Sequence, residues 1–256
     1  MNFWVRAIRS PLRLLPPGMV LPILTGRLRG RKWIVGSCVH SCWIGSYEFD
    51  NQRAFAEVTG RGATVLDLGS NVGFYTLLAA ELVGSSGHVY AFEPVQRNIE
   101  LLRRHIALNK LTNVTVIETA ICESTGRRRF QFHKSAAMGH LSDGGQTEVS
   151  TVTLDDFVAR SGATPNSIKI DVEGAELSVL QGAREMLSQH RPALLLATHS
   201  PALRDQCLDL IADHGYVVRA IGKNDREGAD EFLAIPSRTQ QKSSRDLTRL
   251  SNSPAV

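Results

Sequence analysis

No acidic residue precedes Glu48 in this 256-residue sequence, while seven Arg or Lys fall within its first 32 residues. The formal net charge is only +4, so the asymmetry is local and marks the opening segment as basic. Nor is there an apolar run near the ~20 residues needed to cross a bilayer. Pro16, Pro17 and Pro22 interrupt the only stretch resembling a signal-peptide core. The expectation is a cytoplasmic protein whose basic segment is suited to peripheral contact with an anionic membrane. Cysteine is scarce. Four thiols in a chain of this length exclude a disulfide framework. Cys38, His40 and Cys42 offer three metal-binding side chains, but their spacing matches no common zinc site. Residues 30–45 read instead as an alternating, glycine-punctuated hairpin, and no metal is assigned.

The length suits one substantial core, and no internal repeat is present. From Thr64 onward the sequence alternates strand and helix patterns: "TVLDLG", a helix over 72–82, "HVYAFEP", then a helix carrying Val95, Ile99, Leu102 and Ile106 at helical spacing. "NVTVIETAI" reads as a third strand and residues 122–146 as a strand-rich insertion. "SIKIDVEG" is a fourth strand backed by one helix, "PALLLATHS" a fifth, and a helix with two closing strands follows. Such alternation predicts an α/β fold with parallel pairing. The expected domains are a basic arm and short hairpin over 1–45, a catalytic domain over 46–236, and a disordered polar tail over 237–256, which has too few bulky residues to offset the entropy of ordering.

In "VLDLGSNVGFYT" the pattern Asp67-x-Gly69-x-Asn71-x-Gly73 lacks the three-glycine register of a dinucleotide site. An acidic side chain just before the turn also opposes a pyrophosphate. A sulfonium nucleoside carrying an amino-acid moiety fits better. Asp67 meets its positive end, while Gly69, Ser70, Asn71, Gly73 and Phe74 form a tight loop in which Asn tolerates left-handed geometry. Glu93, ending the second strand before Pro94, supplies an acceptor for ribose hydroxyls. The cofactor these residues predict is S-adenosylmethionine.

With "VYAFEPVQRNIELLRRHIALN", "TLDDF" and "IKIDVEGAELSVLQGA" following in order, the sequence resembles the FkbM family of S-adenosylmethionine-dependent methyltransferases over about residues 45–200. The resemblance implies a class I methyltransferase fold: a Rossmann-like, mostly parallel seven-stranded sheet with helices on both faces. It also implies O-methylation of a hydroxyl on a sugar, glycolipid or secondary metabolite. One departure is visible: where the family often has an acid two positions before a histidine in the fifth strand, this chain has Ala197 before His199.

Ligands of open α/β sheets bind beyond the carboxyl ends of the strands. Asp171 is therefore expected beside the reacting centre, with His199 as the alternative base, since a neutral imidazole suits proton removal near pH 7. Glu173 and Glu176 are expected to bind substrate hydroxyls. Glu48, with Tyr47, is expected to close over the methionine end of the cofactor. Asp155 in "TLDDF" reads as a helix cap. His88, His105, His133, His140, His190 and His214 are expected at element ends or on surfaces.

Two rivals remain. A nucleic-acid methyltransferase is suggested by the basic segment, but base N-methylation typically uses an Asn/Asp-Pro-Pro-aromatic stretch where "DVEGAE" stands, and carboxylates there repel a phosphate backbone. A catalytically inactive binding module is the second. The expected partner is a small-molecule or carbohydrate hydroxyl acceptor, with no nucleic acid.

Overall fold

The computed structural model describes residues 15–132, 139–222 and 230–237. The expected basic arm before residue 15, the polar tail after 237 and His133 lie outside the described residues. The order of elements is β1 (Val20–Pro22), β2 (Lys32–Ile34), α1 (His40–Ile44), α2 (Phe49–Val58), β3 (Thr64–Leu68), α3 (Phe74–Val83), β4 (His88–Phe92), α4 (Gln96–Leu108) and β5 (Val114–Ile117). A small mixed sheet follows, with β6 (Ala120–Ile121), β7 (Gly126–Phe132), β8 (Gly139–Leu141) and β9 (Thr147–Val152), in which β7 runs antiparallel to β8 and β9 while β6 runs parallel to β9. The chain then returns through α5 (Leu154–Ser161), β10 (Ser167–Ile170), α6 (Glu176–Gln181), α7 (Arg184–Gln189), β11 (Ala193–Ala197), α8 (Pro201–Asp213), β12 (Tyr216–Ala220) and β13 (Glu231–Pro236).

The main sheet has seven strands in the order β12, β13, β11, β10, β3, β4, β5. All neighbours are parallel except β13, which runs antiparallel to β11 and β12. This is the doubly wound class I architecture expected from the sequence. Its strands are apolar runs because both faces are covered. Val65 faces one core with Trp33, Phe55 and Leu78, and Leu66 and Leu68 face the other with Phe92, Ile170, Leu187 and Leu196. Each such fully buried side chain stabilises the fold by about 2 kcal/mol.

Four local expectations are corrected. The hairpin does not span 30–45: β2 pairs backwards with β1, Val20 opposite Ile34, and residues 40–44 are helical. The Trp43 indole donates to His40 Nδ1 at 3.1 Å, and Gly45, in the left-handed region at φ 93°, closes that turn onto Ser41. Residues 20–45 are not a separate arm either, because Ile23, Leu28, Trp33 and Trp43 belong to the same core as Phe55 and Leu78. The third strand splits between two sheets as β5 and β6. The helix behind β10 breaks into α6 and α7 at Gly182, where a Cβ would lie 2.4 Å from the Cys122 carbonyl oxygen. Asp155 occupies that break, its carboxylate accepting from Glu185 N at 3.2 Å and Met186 N at 2.8 Å. It therefore caps α7, while Thr153 caps α5 through Asp156 N.

Candidate active site

At the carboxyl ends of β3, β4 and β10 lies a cavity of about 280 Å³. Of the sequence-predicted residues, Asp67, Gly69, Ser70, Asn71, Gly73, Phe74, Glu93, Pro94, Asp171 and Glu173 all line it. The loop after β3 takes its shape from three left-handed residues, Gly69 at φ 75°, Asn71 at 49° and Gly73 at 98°. Gly69 is needed for a second reason: a Cβ there would sit 1.9 Å from the carbonyl oxygen of Asp171. The loop is pinned to β4, because Gly69 N and Ser70 N both donate to Phe92 O.

Glu93 holds this arrangement with both carboxylate oxygens. Oε2 accepts from Asn71 N at 2.8 Å, and Oε1 accepts from Val95 N at 2.9 Å and Asn98 Nδ2 at 3.2 Å. Burial, opposed by these donors, pushes its pKa up to about 7. Two carboxylate oxygens have room for about four donors, so accepting capacity remains for ribose hydroxyls. Asp67 is 1% exposed. Its Oδ2 accepts from Thr76 Oγ1 at 2.6 Å, whereas Oδ1 has no partner. A buried, unanswered carboxylate oxygen on a cavity wall fits the ammonium group of S-adenosylmethionine, since leaving it unpaired is costly. Burial raises the Asp67 pKa against the opposing pull of Lys169 and Thr76.

Lys169, not anticipated from the sequence, is opposite Asp67 in the β3/β10 register and is 5% exposed. Its Nζ donates to Asp171 Oδ2 at 2.8 Å and lies 4.5 Å from the centroid of the Tyr75 ring. Burial alone would lower its pKa, but Asp171 and Asp67 outweigh it and the net shift is upward. A lysine between two isoleucines of a buried strand, "SIKI", is the sequence signal that would have marked it.

Beyond Asp171 the polar wall continues to β11. His199 Nε2 lies 3.6 Å from Asp171 Oδ1 and 3.4 Å from Glu173 Oε2, and Nδ1 is 2.8 Å from Glu176 Oε1. The bond to Glu176, reinforced by the charges of Asp171 and Glu173, raises the His199 pKa to about 9 despite partial burial. Asp171 moves the other way: burial pushes it up, but Lys169 and His199 more than offset this and the net shift is downward. Ligand atoms of Asp171, Glu173 and His199 all lie within 4.8 Å of one another, close enough to share a divalent ion. With His199 protonated the same three groups form a self-compensating ion cluster.

Four expectations change. The upward shift of His199 favours its protonated form at neutral pH, which suits a cation at the cavity edge better than the ready proton acceptor expected from the sequence. Glu176 does not face a substrate: it is fully buried, and its Oε1 accepts from Gly174 N at 3.0 Å as well as from His199. Glu48 is not on the cavity wall. Its Oε2 accepts from Tyr75 Oη at 2.9 Å and Asn51 Nδ2 at 3.3 Å, leaving Tyr47 and Cys38 to line that side. His105, expected at an element end or on a surface, does lie in the last turn of α4 but is fully buried. Its Nε2 accepts from Ile34 N at 3.0 Å, its Nδ1 donates to Val72 O at 2.8 Å, and its ring stacks on Trp33 with centroids 3.9 Å apart. It thereby ties the hairpin to the loop after β3.

The family model for the Methyltransferase FkbM domain matches residues 67–218. The chain is 30% identical over 144 residues to hexuronic acid methyltransferase AglP of Haloferax volcanii, a match covering 55% of this chain and 58% of that one. It is 39% identical over 56 residues to a protein-L-isoaspartate O-methyltransferase of Methanothrix thermoacetophila, covering 22% of this chain and 27% of the relative. The matches thus span less than two thirds of these curated relatives. Among solved structures, a putative rRNA-methylase from Clostridium thermocellum superposes with a TM-score of 0.51 at 12% identity, covering 74% of this chain and 96% of that one. At that identity the likeness is one of fold.

Proposed function

The chain belongs to the FkbM family of methyltransferases, and we propose that it transfers a methyl group from S-adenosylmethionine to a hydroxyl oxygen of a sugar acid of the hexuronic type. The cofactor supplies a methyl group on a positively charged sulfur. Asp67 and Glu93 would hold it, the first at the ammonium and the second at the ribose, and the loop from Gly69 to Gly73 lets backbone approach closely.

The observation that carries the acceptor class is the wall formed by Asp171, Glu173 and His199. Two partly exposed carboxylates are suited to receive hydrogen bonds from neighbouring hydroxyls. The His199 imidazolium adds a positive charge at the same edge, which a sugar carboxylate would seek. The 30% identity to a hexuronic acid methyltransferase supports the same choice. In this reading Asp171 accepts a hydrogen bond from the reacting hydroxyl and aligns its oxygen for in-line attack, a contribution of orientation. Its lowered pKa makes it a weak base, so it takes the hydroxyl proton only as the new carbon–oxygen bond forms and renders that oxygen strongly acidic. His199 binds and orients the acceptor, and Glu176 holds His199.

The purified chain, S-adenosylmethionine and a set of uronic and neutral sugars test this, with S-adenosylhomocysteine release and the mass of the product as readouts. Methylation of uronic acids, lost about 100-fold in Asp171→Asn, is expected. Transfer to an isoaspartyl peptide or to RNA, with none to any sugar, would overturn the acceptor class.

A further inference from the structure

The chemistry at the strand tips makes no use of the β1/β2 hairpin. Its ladder runs from Val20 opposite Ile34 to Pro22 opposite Lys32, and continues through the bonds of Ile23 with Arg31 and Gly30. One face supplies Ile23, Leu28 and Trp33 to the core. On the other face Ile34 is buried, but its partner strand and the tip are open to solvent: Met19, Val20 and Leu24 are 38%, 40% and 50% exposed, and Arg27, Arg29 and Lys32 are exposed beside them in sequence and ladder. Among the described residues Arg31 pairs with Glu81, while Arg27, Arg29 and Lys32 take part in none of the ion pairs.

A single exposed aliphatic residue needs no explanation. Three of them on one arm of a hairpin whose tip and return arm carry three cations, in a stretch with no acidic residue before Glu48, have a specific complement. We propose that the hairpin is a docking surface for an anionic lipid bilayer. Met19, Val20 and Leu24 enter the boundary between headgroups and acyl chains, and Arg27, Arg29 and Lys32 lie against the headgroup phosphates. The exposed apolar side chains are aliphatic and offer no ring for a base to stack on, which favours lipid over single-stranded nucleic acid. The surface also adjoins the cavity. Leu24 N and Thr25 N donate to Trp43 O and Ile44 O of α1, and Cys38 and Val39, just before α1, line the cavity rim. Val39 is itself 56% exposed.

The inference does not depend on which acceptor is methylated. Its test is co-sedimentation of the full chain with phosphatidylcholine vesicles, with and without phosphatidylglycerol. Binding is expected only to the anionic vesicles, weakening as salt is raised. It should fall roughly fivefold for each of Arg27→Ser, Arg29→Ser and Lys32→Ser. Leu24→Ser should weaken binding severalfold while leaving the salt dependence unchanged. All four side chains are exposed, so unchanged thermal melting confirms that the variants are folded. Equal binding to both vesicle types, or none to either, overturns the proposal. So does anionic binding that the hairpin substitutions leave unaltered, or binding to single-stranded RNA in place of vesicles.

Discussion

The two walls of the cavity hold their carboxylates in opposite ways. On the β3/β4 wall Asp67 and Glu93 are nearly inaccessible, and burial drives both upward in pKa, so they gain from a ligand that brings hydrogen-bond donors or positive charge. On the β10/β11 wall Asp171 and Glu173 are about a quarter exposed and already face the cations Lys169 and His199. The first wall is built to be completed by one ligand of fixed shape. The second is balanced without one, which suits an acceptor that arrives and leaves each turnover.

The contrast breaks most severely at Gly69. In Gly69→Ala a methyl group would meet the Asp171 carbonyl at a left-handed φ, and we expect a loss of about 3 kcal/mol or more, seen in thermal melting, together with loss of S-adenosylhomocysteine binding by calorimetry. Next comes acid. Burial lowers the His105 pKa to about 4, so the folded state binds fewer protons than the unfolded one below pH ~6.5. Stability should fall as pH drops from about 6.5 to about 4, by up to ~3 kcal/mol, and His105→Gln should flatten that slope in melts across pH.

Glu93 is the third point of attack. Glu93→Gln should weaken the cofactor ~10-fold to 100-fold, since charge-assisted hydrogen bonds are worth ~1.5–3 kcal/mol. Wild-type affinity should decline as pH falls below about 7, where Glu93 takes up a proton. An affinity flat from pH 8 to pH 6 (roughly the range over which such a group titrates) would remove the carboxylate from the ribose site. The smallest effect belongs to the second wall. The raised His199 pKa stabilises the fold fully below pH ~6.5, and that contribution is lost as pH rises through about 9. Glu176 is buried but the His199 ring is one-third exposed, and solvent screening on that side limits the contribution to about 1 kcal/mol. His199→Gln, whose amide can still donate to Glu176, should therefore alter melting at pH 7 only slightly while weakening acceptor binding.

The first wall was legible in the sequence because its determinants are local. Spacing at Asp67, Gly69, Asn71 and Gly73 fixes one turn, and Glu93 ends the next strand, so strand order alone brings them together. The second wall depends on contacts between strands and was legible only in part. Asp171 follows from its place at a strand tip, but the balance of charge around it comes from Lys169, paired across to Asp67, and from Glu176, which turns inward to His199 instead of outward. The helix at His40–Ile44, inside the stretch whose pattern predicts a hairpin, is hidden for a different reason. A short stretch with apolar residues at mixed spacing satisfies both periods, and the side-chain bond between Trp43 and His40 that favours the helix has no signature in composition. His105 reads in the sequence as one more element-end histidine, because the Trp33 ring and the Ile34 and Val72 main chain that enclose it are distant along the chain.

The bare contact between Gly69 and the main chain of Asp171 joins the two walls backbone to backbone, with no compliant side chain between them to absorb a shift. Whatever settles against the one loop therefore bears on the position of the other, and in the proposed reading the skeleton of the protein aligns the Asp171 strand tip before any acceptor enters.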